Sequence, residues 1–263
     1  MVTSMKNIKA VSIISLAGFP LVKNGDDLAE LIVKTAQKQG VSIEDGDVIV
    51  VAQKIVSKAE GRVFQLENVK PSEKAEKLAE TTLKNPGLVE LVLQASRKIV
   101  KASSDILIVE NENGIICINA GIDKSNVEGD DSYALLPRDS DDSARRIRQE
   151  IMKLNGRNVG VIISDTYSRP FRKGQVEFAI GIAGISPFKD YRGKKDLYNY
   201  VLKVKNIAIV DEIAAAAELV MGQGSEGIPV AIIKNLDRTE LTEKCSINDL
   251  FISKQDDLFK GTL

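Results

Sequence analysis

The chain has 263 residues, is 43% hydrophobic and 28% charged, and carries a formal net charge of −1. That balance describes an ordinary globular protein of one or two domains with ample chain for a core, and it gives no electrostatic footprint for nucleic acid. Aromatic residues make up only 5% and both Trp and His are absent, which excludes stacking platforms for single strands, Ser-His-Asp or Cys-His catalysis, and mixed Cys/His zinc sites.

Residues 8–14 read as an opening strand, followed by a turn and a short extended piece at Gly18-Phe-Pro-Leu-Val22. After Asp26, the positions Leu28, Leu31, Ile32, Thr35 and Ala36 fall on one helical face that stops at Gly40. Residues 47–51 form a buried strand, and residues 53–61 a polar segment leaving it. Ser72 caps a helix running to about Leu83, and residues 88–100 form another. Residues 105–109 and 114–118 pair as strands around the turn Asn111-Glu-Asn-Gly114. An acidic loop at 135–142 contains Pro137. Ser143 then opens a helix with Ala144, Ile147, Ile151 and Leu154 on one face, ended by Asn155-Gly156. Residues 159–163 are an apolar strand, whereas the Gly- and Ala-rich stretch 175–185 gives no clear period. A strand at 204–210, an alanine-rich helix at 211–221 and a strand at 230–233 follow.

Helices and strands mix without a βαβ alternation. The expected fold class is therefore α+β, with mixed sheets and packed helices, rather than a doubly wound parallel sheet. Chemical motifs end near residue 236. Residues 1–236 are expected to be the working domain, and 237–263 a polar extension with a short helix near 247–251 and a mobile end. Cys117 lies in an apolar run and reads as a small core residue, and two lone cysteines fit a reducing cytosol. Lys6 and Lys9 interrupt any signal-like start, and no window reaches the ~18 apolar residues of a membrane span. A cytoplasmic protein with no membrane partner is expected.

No GxxxxGK[ST] loop occurs, nor a GxGxxG after a strand. Three segments instead put oxygen donors at the ends of apolar runs: Asn119-Ala-Gly-Ile-Asp123-Lys-Ser-Asn126, Ile163-Ser-Asp165-Thr166 and Met221-Gly-Gln223-Gly-Ser-Glu226-Gly-Ile-Pro229. Hard cations take oxygen ligands and phosphates take backbone N–H groups, so the set suits a divalent ion held against phosphates. The plain alternatives are a glycine-terminated helix at 222–227 and turn or N-cap roles for Asp123 and Asp165. Lys58 follows a strand closely enough to reach a cleft as a point charge. Arg169, Arg172 and Lys173 are either a solvated face or guanidinium forks for phosphate and carboxylate.

Longer stretches, in the same order, resemble the coenzyme F420-0:L-glutamate ligase (gamma-glutamyl ligase) family. They include Asp45-Gly-Asp-Val-Ile-Val-Val51, Ser57-Lys-Ala-Glu-Gly-Arg62, Asn119 through Val127, Phe178-Ala-Ile-Gly-Ile-Ala-Gly184, Asp211-Glu-Ile-Ala-Ala215 and the 221–229 loop. The resemblance implies a homodimeric, intertwined enzyme that joins L-glutamate to coenzyme F420-0 at the expense of GTP. It implies two divalent ions (Mn or Mg) and a monovalent cation such as potassium. By the same resemblance, Asp123 and Asp165 hold a first divalent ion, and Thr166 and Gln223 a second. Nucleotide contacts fall on Phe19, Pro20, Leu21, Val22, Gln53, Lys54, Lys58, Asn126, Met221, Gly222, Gln223, Gly224, Ser225, Glu226, Gly227 and Ile228. Asp123, Asp165, Lys58 and Arg172 are the expected catalytic residues. Another NTP-dependent acid–amine ligase on the same scaffold, or a non-catalytic nucleotide-binding protein, are the competing readings.

Overall fold

The computed structural model describes residues 10–169, 171–236, 241–253 and 255–257. In chain order the elements are β1 (Ser12–Ser15), α1 (Leu28–Lys38), β2 (Val48–Ala52), α2 (Gln53–Ala59), β3 (Val63–Gln65), α3 (Glu73–Thr82), α4 (Pro86–Gln94), β4 (Ser96–Ser103), β5 (Ile106–Asn111) and β6 (Ile116–Ile118). They continue with β7 (Ser132–Ala134), α5 (Ser140–Asn155), β8 (Gly160–Arg169), β9 (Arg172–Ala183), β10 (Phe188–Asp190), β11 (Asn206–Ala208), α6 (Ile209–Met221) and β12 (Val230–Lys234).

A five-stranded sheet of order β1-β12-β2-β8-β9 forms the centre. Only β2 and β8 pair in parallel; the other neighbours are antiparallel. Alternate residues of a strand face opposite sides. Ile49 and Val51 therefore join Ile32 of α1 and Ala144, Ile147 and Ile151 of α5 in one apolar cluster. Val48 and Val50 join Val210, Ile213 and Ala217 of α6 in another, on the other side. Cover on both faces explains why β2, β12 and the first part of β8, up to Ile163, read as apolar runs. A third cluster packs α3 and α4 against the small sheet β4-β5-β6. Mixed sheets with packed helices agree with the α+β expectation, and Cys117 is buried as expected.

Several local expectations shift. The helix expected at 88–100 ends at Gln94. Asn85 caps it from below with Pro86 in the first turn, and residues from Ser96 pair with β5 instead. The polar segment at 53–61 is the helix α2. The helix expected from Ser143 begins at Ser140, because Asp139 accepts the Asp142 N–H at 2.8 Å; the acidic loop is confined to 135–139, and Asp141 and Asp142 stand in the first turn, where carboxylates complement the helix dipole. The uncertain stretch 175–185 lies in β9 as far as Ala183. Its glycines reflect close packing: a Cβ at Gly181 would stand 2.4 Å from the Ser140 carbonyl carbon of α5. The expected turn at 111–114 and helix end at Gly156 occur as read. The short helix near 247–251 is a 3-10 turn, Ile247–Leu250, with Ile247 buried against α6. Lys6, residues 8 and 9, residues 237–240 and the final residues where a mobile end was expected lie outside the described residues. Among those described, no helix is long and apolar enough to cross a membrane.

The shift that matters most concerns β8. The apolar run ends at Ile163, yet the strand continues to Arg169, so Asp165 and Thr166 lie inside it rather than after it. The partner β2 stops at Ala52, opposite Ser164, and turns into α2. Beyond that point β8 pairs only with β9, through Asp165↔Phe178 and Thr166↔Glu177. The change in polarity thus marks where the sheet narrows to a hairpin.

Candidate active site

One edge of the central sheet collects the carboxyl ends of β1 and β2, the middle of β8 and the amino end of β12, as the registers Ser15↔Ala231, Val51↔Val230 and Ala52↔Ser164 require. Chain segments leaving that edge are the loop before α1, helix α2 and the glycine loop between α6 and β12. Ligands bind at such carboxyl edges because backbone groups and helix ends converge there.

Helix α2 delivers two lysines. The Lys54 ammonium contacts the Asp123 carboxylate and donates to the Ser125 carbonyl and hydroxyl, each at 2.7 Å. Asp123 is fixed by a bridge in which its N–H donates to the Ala134 carbonyl at 3.1 Å, and it also accepts from the Ser125 N–H at 2.8 Å. It is therefore both a turn residue and a presented carboxylate. Burial would raise the Asp123 carboxyl, but the bonds from Lys54 and Ser125 outweigh it and hold the group below the ordinary aspartate range. The Lys58 ammonium donates to the Asn126 carbonyl at 2.7 Å, and the Asn126 amide donates to the Gly224 carbonyl at 3.1 Å. Helix α2, the 119–126 segment and the glycine loop are thereby stitched together. Burial, and then the neighbouring Lys54 charge, lower the Lys58 pKa.

Successive residues of β8 face opposite sides. Asp165 turns toward Cys117, Tyr167 and the Asp123–Lys54 pair. Burial pushes its carboxyl up to about 7, and nearby Glu177 and Asp123 add to the rise while a hydrogen bond from the Thr166 N–H and the Lys54 charge oppose it. The same burial lifts the Cys117 thiol to about 12 and the Tyr167 phenol well above its usual value. Thr166 faces the other way and donates to Glu177 Oε2 at 2.7 Å, which also accepts from the Gln223 amide at 3.2 Å. Glu177 is buried, and burial raises its carboxyl too. Chemical-motif reading passed over Glu177. A lone Glu inside a Gly- and Ala-rich stretch gave no spacing signal, and only its pairing opposite Thr166 exposes it.

The predicted residues are not all alike in position. Phe19, Val22 and Met221 bury their side chains in the apolar clusters, so only their backbones can meet a ligand. Buried Gln53 accepts from the Ser57 hydroxyl at 3.0 Å. Pro20, Leu21, Gln223, Ser225 and Glu226 are exposed, and Ile228 is half-buried. Gly222 and Gly227 have positive φ, whereas Gly224 does not, and its N–H is bonded to Glu226 Oε2 at 2.7 Å. Arg172 is exposed near the tip of the β8–β9 hairpin, opposite Arg169. At a rise of about 3.3 Å per residue, Arg169 lies roughly 13 Å along the strand from Asp165. It therefore flanks the cluster rather than joining it.

Among the described residues, no three His, Cys, Asp or Glu side chains converge as a ready metal cage. The donor set still fits a hard cation of the kind that takes one or two carboxylates plus phosphate oxygens and waters. Asp123 and Asp165 lie near enough to perturb each other, and the buried Ser164 hydroxyl and Tyr167 phenol lie beside Glu177 and Asp165 respectively.

Residues 18–235 match the family described as F420-0:gamma-glutamyl ligase. The chain belongs to that family. It is 45% identical to a protein of Methanothermobacter thermautotrophicus over 95% of this chain and 99% of the relative. Identity is 43% to a protein of Archaeoglobus fulgidus, over 96% and 98% of the two chains. It is 41% to one of Methanocaldococcus jannaschii, over 98% and 100%. All three relatives carry the name coenzyme F420:L-glutamate ligase. This member of the family is accordingly an enzyme of the ligase class.

Proposed function

We propose that this enzyme joins L-glutamate to coenzyme F420-0 through an amide bond, consuming GTP and releasing GDP and phosphate. The carrying observation is the convergence of Asp123, Asp165 and Thr166 with Lys54, Lys58 and the 222–227 glycine loop on one sheet edge. A carboxylate and an amine do not condense unaided in water. In the proposed sequence a substrate carboxylate oxygen attacks the γ-phosphorus, and the bond to the β-phosphate oxygen breaks to release GDP. The acyl phosphate carbon then takes the glutamate amine, phosphate leaves, and the amine gives up a proton.

Phosphoryl transfer demands positioning and charge neutralisation more than an acid–base residue, which suits a chain without His. Two divalent ions, Mn or Mg, and a monovalent ion such as potassium would supply positive charge against the phosphates when bound. Asp123 and Asp165 would hold the first ion, and Thr166 and Gln223 would face the second. Lys58 anchors the Asn126 segment and directs a point charge toward phosphate. Gly222 and Gly227 let the loop backbone approach the nucleotide, and the exposed Arg172 guanidinium gathers the anionic precursor and glutamate. The working unit is a homodimer in the cytoplasm.

Mass spectrometry of F420-0 incubated with enzyme, glutamate, Mn and either GTP or ATP tests the reading. Glutamylated product is expected with GTP and little with ATP. GTP hydrolysis without product, or equal use of other acids, would turn the assignment toward the competing ligase reading.

A further inference from the structure

We infer that Glu177, on β9, is the anionic ligand of the second cation, completing the oxygen set of Thr166 and Gln223. The inference rests on the two-ion reading above. Its Oε2 accepts from Thr166 at 2.7 Å and from Gln223 at 3.2 Å. Its side chain is 4% exposed, and among the described residues no Lys or Arg forms a salt bridge with it. A carboxylate so placed is costly to the fold unless a positive charge joins it. The Ser164 hydroxyl, fully buried, faces it as a further neutral donor. Neutral donors therefore surround this carboxylate without cancelling its charge, and their oxygens suit a hard cation.

A purely structural role is a poor account of the same residue. The Thr166 hydroxyl would be accepted equally well by the carbonyl of a glutamine, so that bond does not need the charge. Gln223 also comes from the exposed glycine loop, which ties the carboxylate to the segment expected to carry the nucleotide. Without Glu177, Thr166 and Gln223 would offer a divalent ion only neutral oxygens.

The test counts Mn ions on the full-length protein with GDP present, reading free Mn from its electron paramagnetic resonance signal. Wild type is expected to take two ions per chain. Glu177→Gln should keep the first ion and weaken the second by about 100-fold or more, since even indirect partners of metal ligands cost 10–100-fold. In chelator, without metal, Glu177→Gln should melt no lower than wild type, whereas loss of a merely structural contact would lower it. Gln223→Glu lies in an exposed loop and keeps the test available if Glu177→Gln does not fold. It should tighten the second ion by about 10-fold, because affinity follows ligand charge, and in the Glu177→Gln background it should restore that ion. Two ions bound with unchanged affinity in Glu177→Gln would overturn the assignment, as would no change in Gln223→Glu. Fewer than two ions on wild type would instead sink the two-ion reading itself, and Glu177 with it.

Discussion

Replacing Asp165 by Asn should make the metal-free protein more stable while destroying its activity. Burial sets the Asp165 carboxyl at about 7 in the folded chain, against about 3.9 for an unfolded aspartate. The folded state thus prefers the protonated acid. Its stabilising contribution is complete below about pH 4 and is lost as pH rises through about 7, where the buried group ionises. Three pH units at 1.36 kcal/mol each bound the loss at about 4 kcal/mol. For a chain of this size that is roughly 8–16 °C in melting temperature. Asn keeps the shape and never ionises. The Asn variant should therefore match wild type near pH 4 and exceed it increasingly toward pH 8.

Thermal or urea denaturation in chelator from pH 4 to 8 measures the gap directly. Adding Mn with GDP should stabilise wild type far more than the variant and narrow it. Ligation by the variant should fall ~10²-fold or more, as expected if Asp165 holds a metal ion and loses its charge. A gap that stays flat with pH, or a variant less stable than wild type at pH 8, would refute the electrostatic account. Near wild-type turnover would refute the metal role.

Gly222→Val places a Cβ within 2.5 Å of the Glu226 carboxyl carbon at a φ of +69°, so GDP affinity should drop about 10-fold or more; unchanged affinity by calorimetry would remove the loop from the site. Arg172→Lys should raise KM for glutamate or coenzyme F420-0 much more than for GTP, because an ammonium cannot replace a bidentate fork. A small, uniform change in all three constants would return Arg172 to the solvated surface. Gly181→Ala drives a methyl into the Ser140 backbone, and overpacking of about 1–3 kcal/mol should lower the melting temperature by roughly 2–12 °C; an unchanged melt would mean α5 can move off β9 freely.

What the sequence reveals here depends on whether one segment carries its own signal. Ser72 and Asn155-Gly156 bound their helices through local bonds, and both are legible without tertiary context. The strand at Ser96–Ser103 is not, because α4 and β4 share one apolar stretch and only pairing with β5 decides where the helix yields. Asp165 is read correctly as a carboxylate at the end of an apolar run, but the run ends because β2 departs, a fact about a neighbour over a hundred residues away. Lys58, Asn126 and Gly224 are each visible as candidates, yet only the fold joins them in a chain of hydrogen bonds. Glu177 is the extreme case: its meaning lies wholly in being opposite Thr166.

These features share one physical logic. Past Ala52 the β8–β9 hairpin leaves the cover of the sheet, and there it carries acids on both faces, Asp165 on one and Glu177 on the other. Burial raises both carboxyls, so each ionised acid weakens the fold it stands in. A cation held with nucleotide phosphates would remove both penalties together, and binding that favours the folded state stabilises it by mass action. Ion and nucleotide affinity should then be mutually dependent, since each supplies charge that the other lacks. Thermodynamic reciprocity requires GDP to tighten Mn by the same factor that Mn tightens GDP. The residues between them on this sheet edge, Lys54 bound to Asp123 and Lys58 bound to Asn126, are the groups through which that coupling would pass.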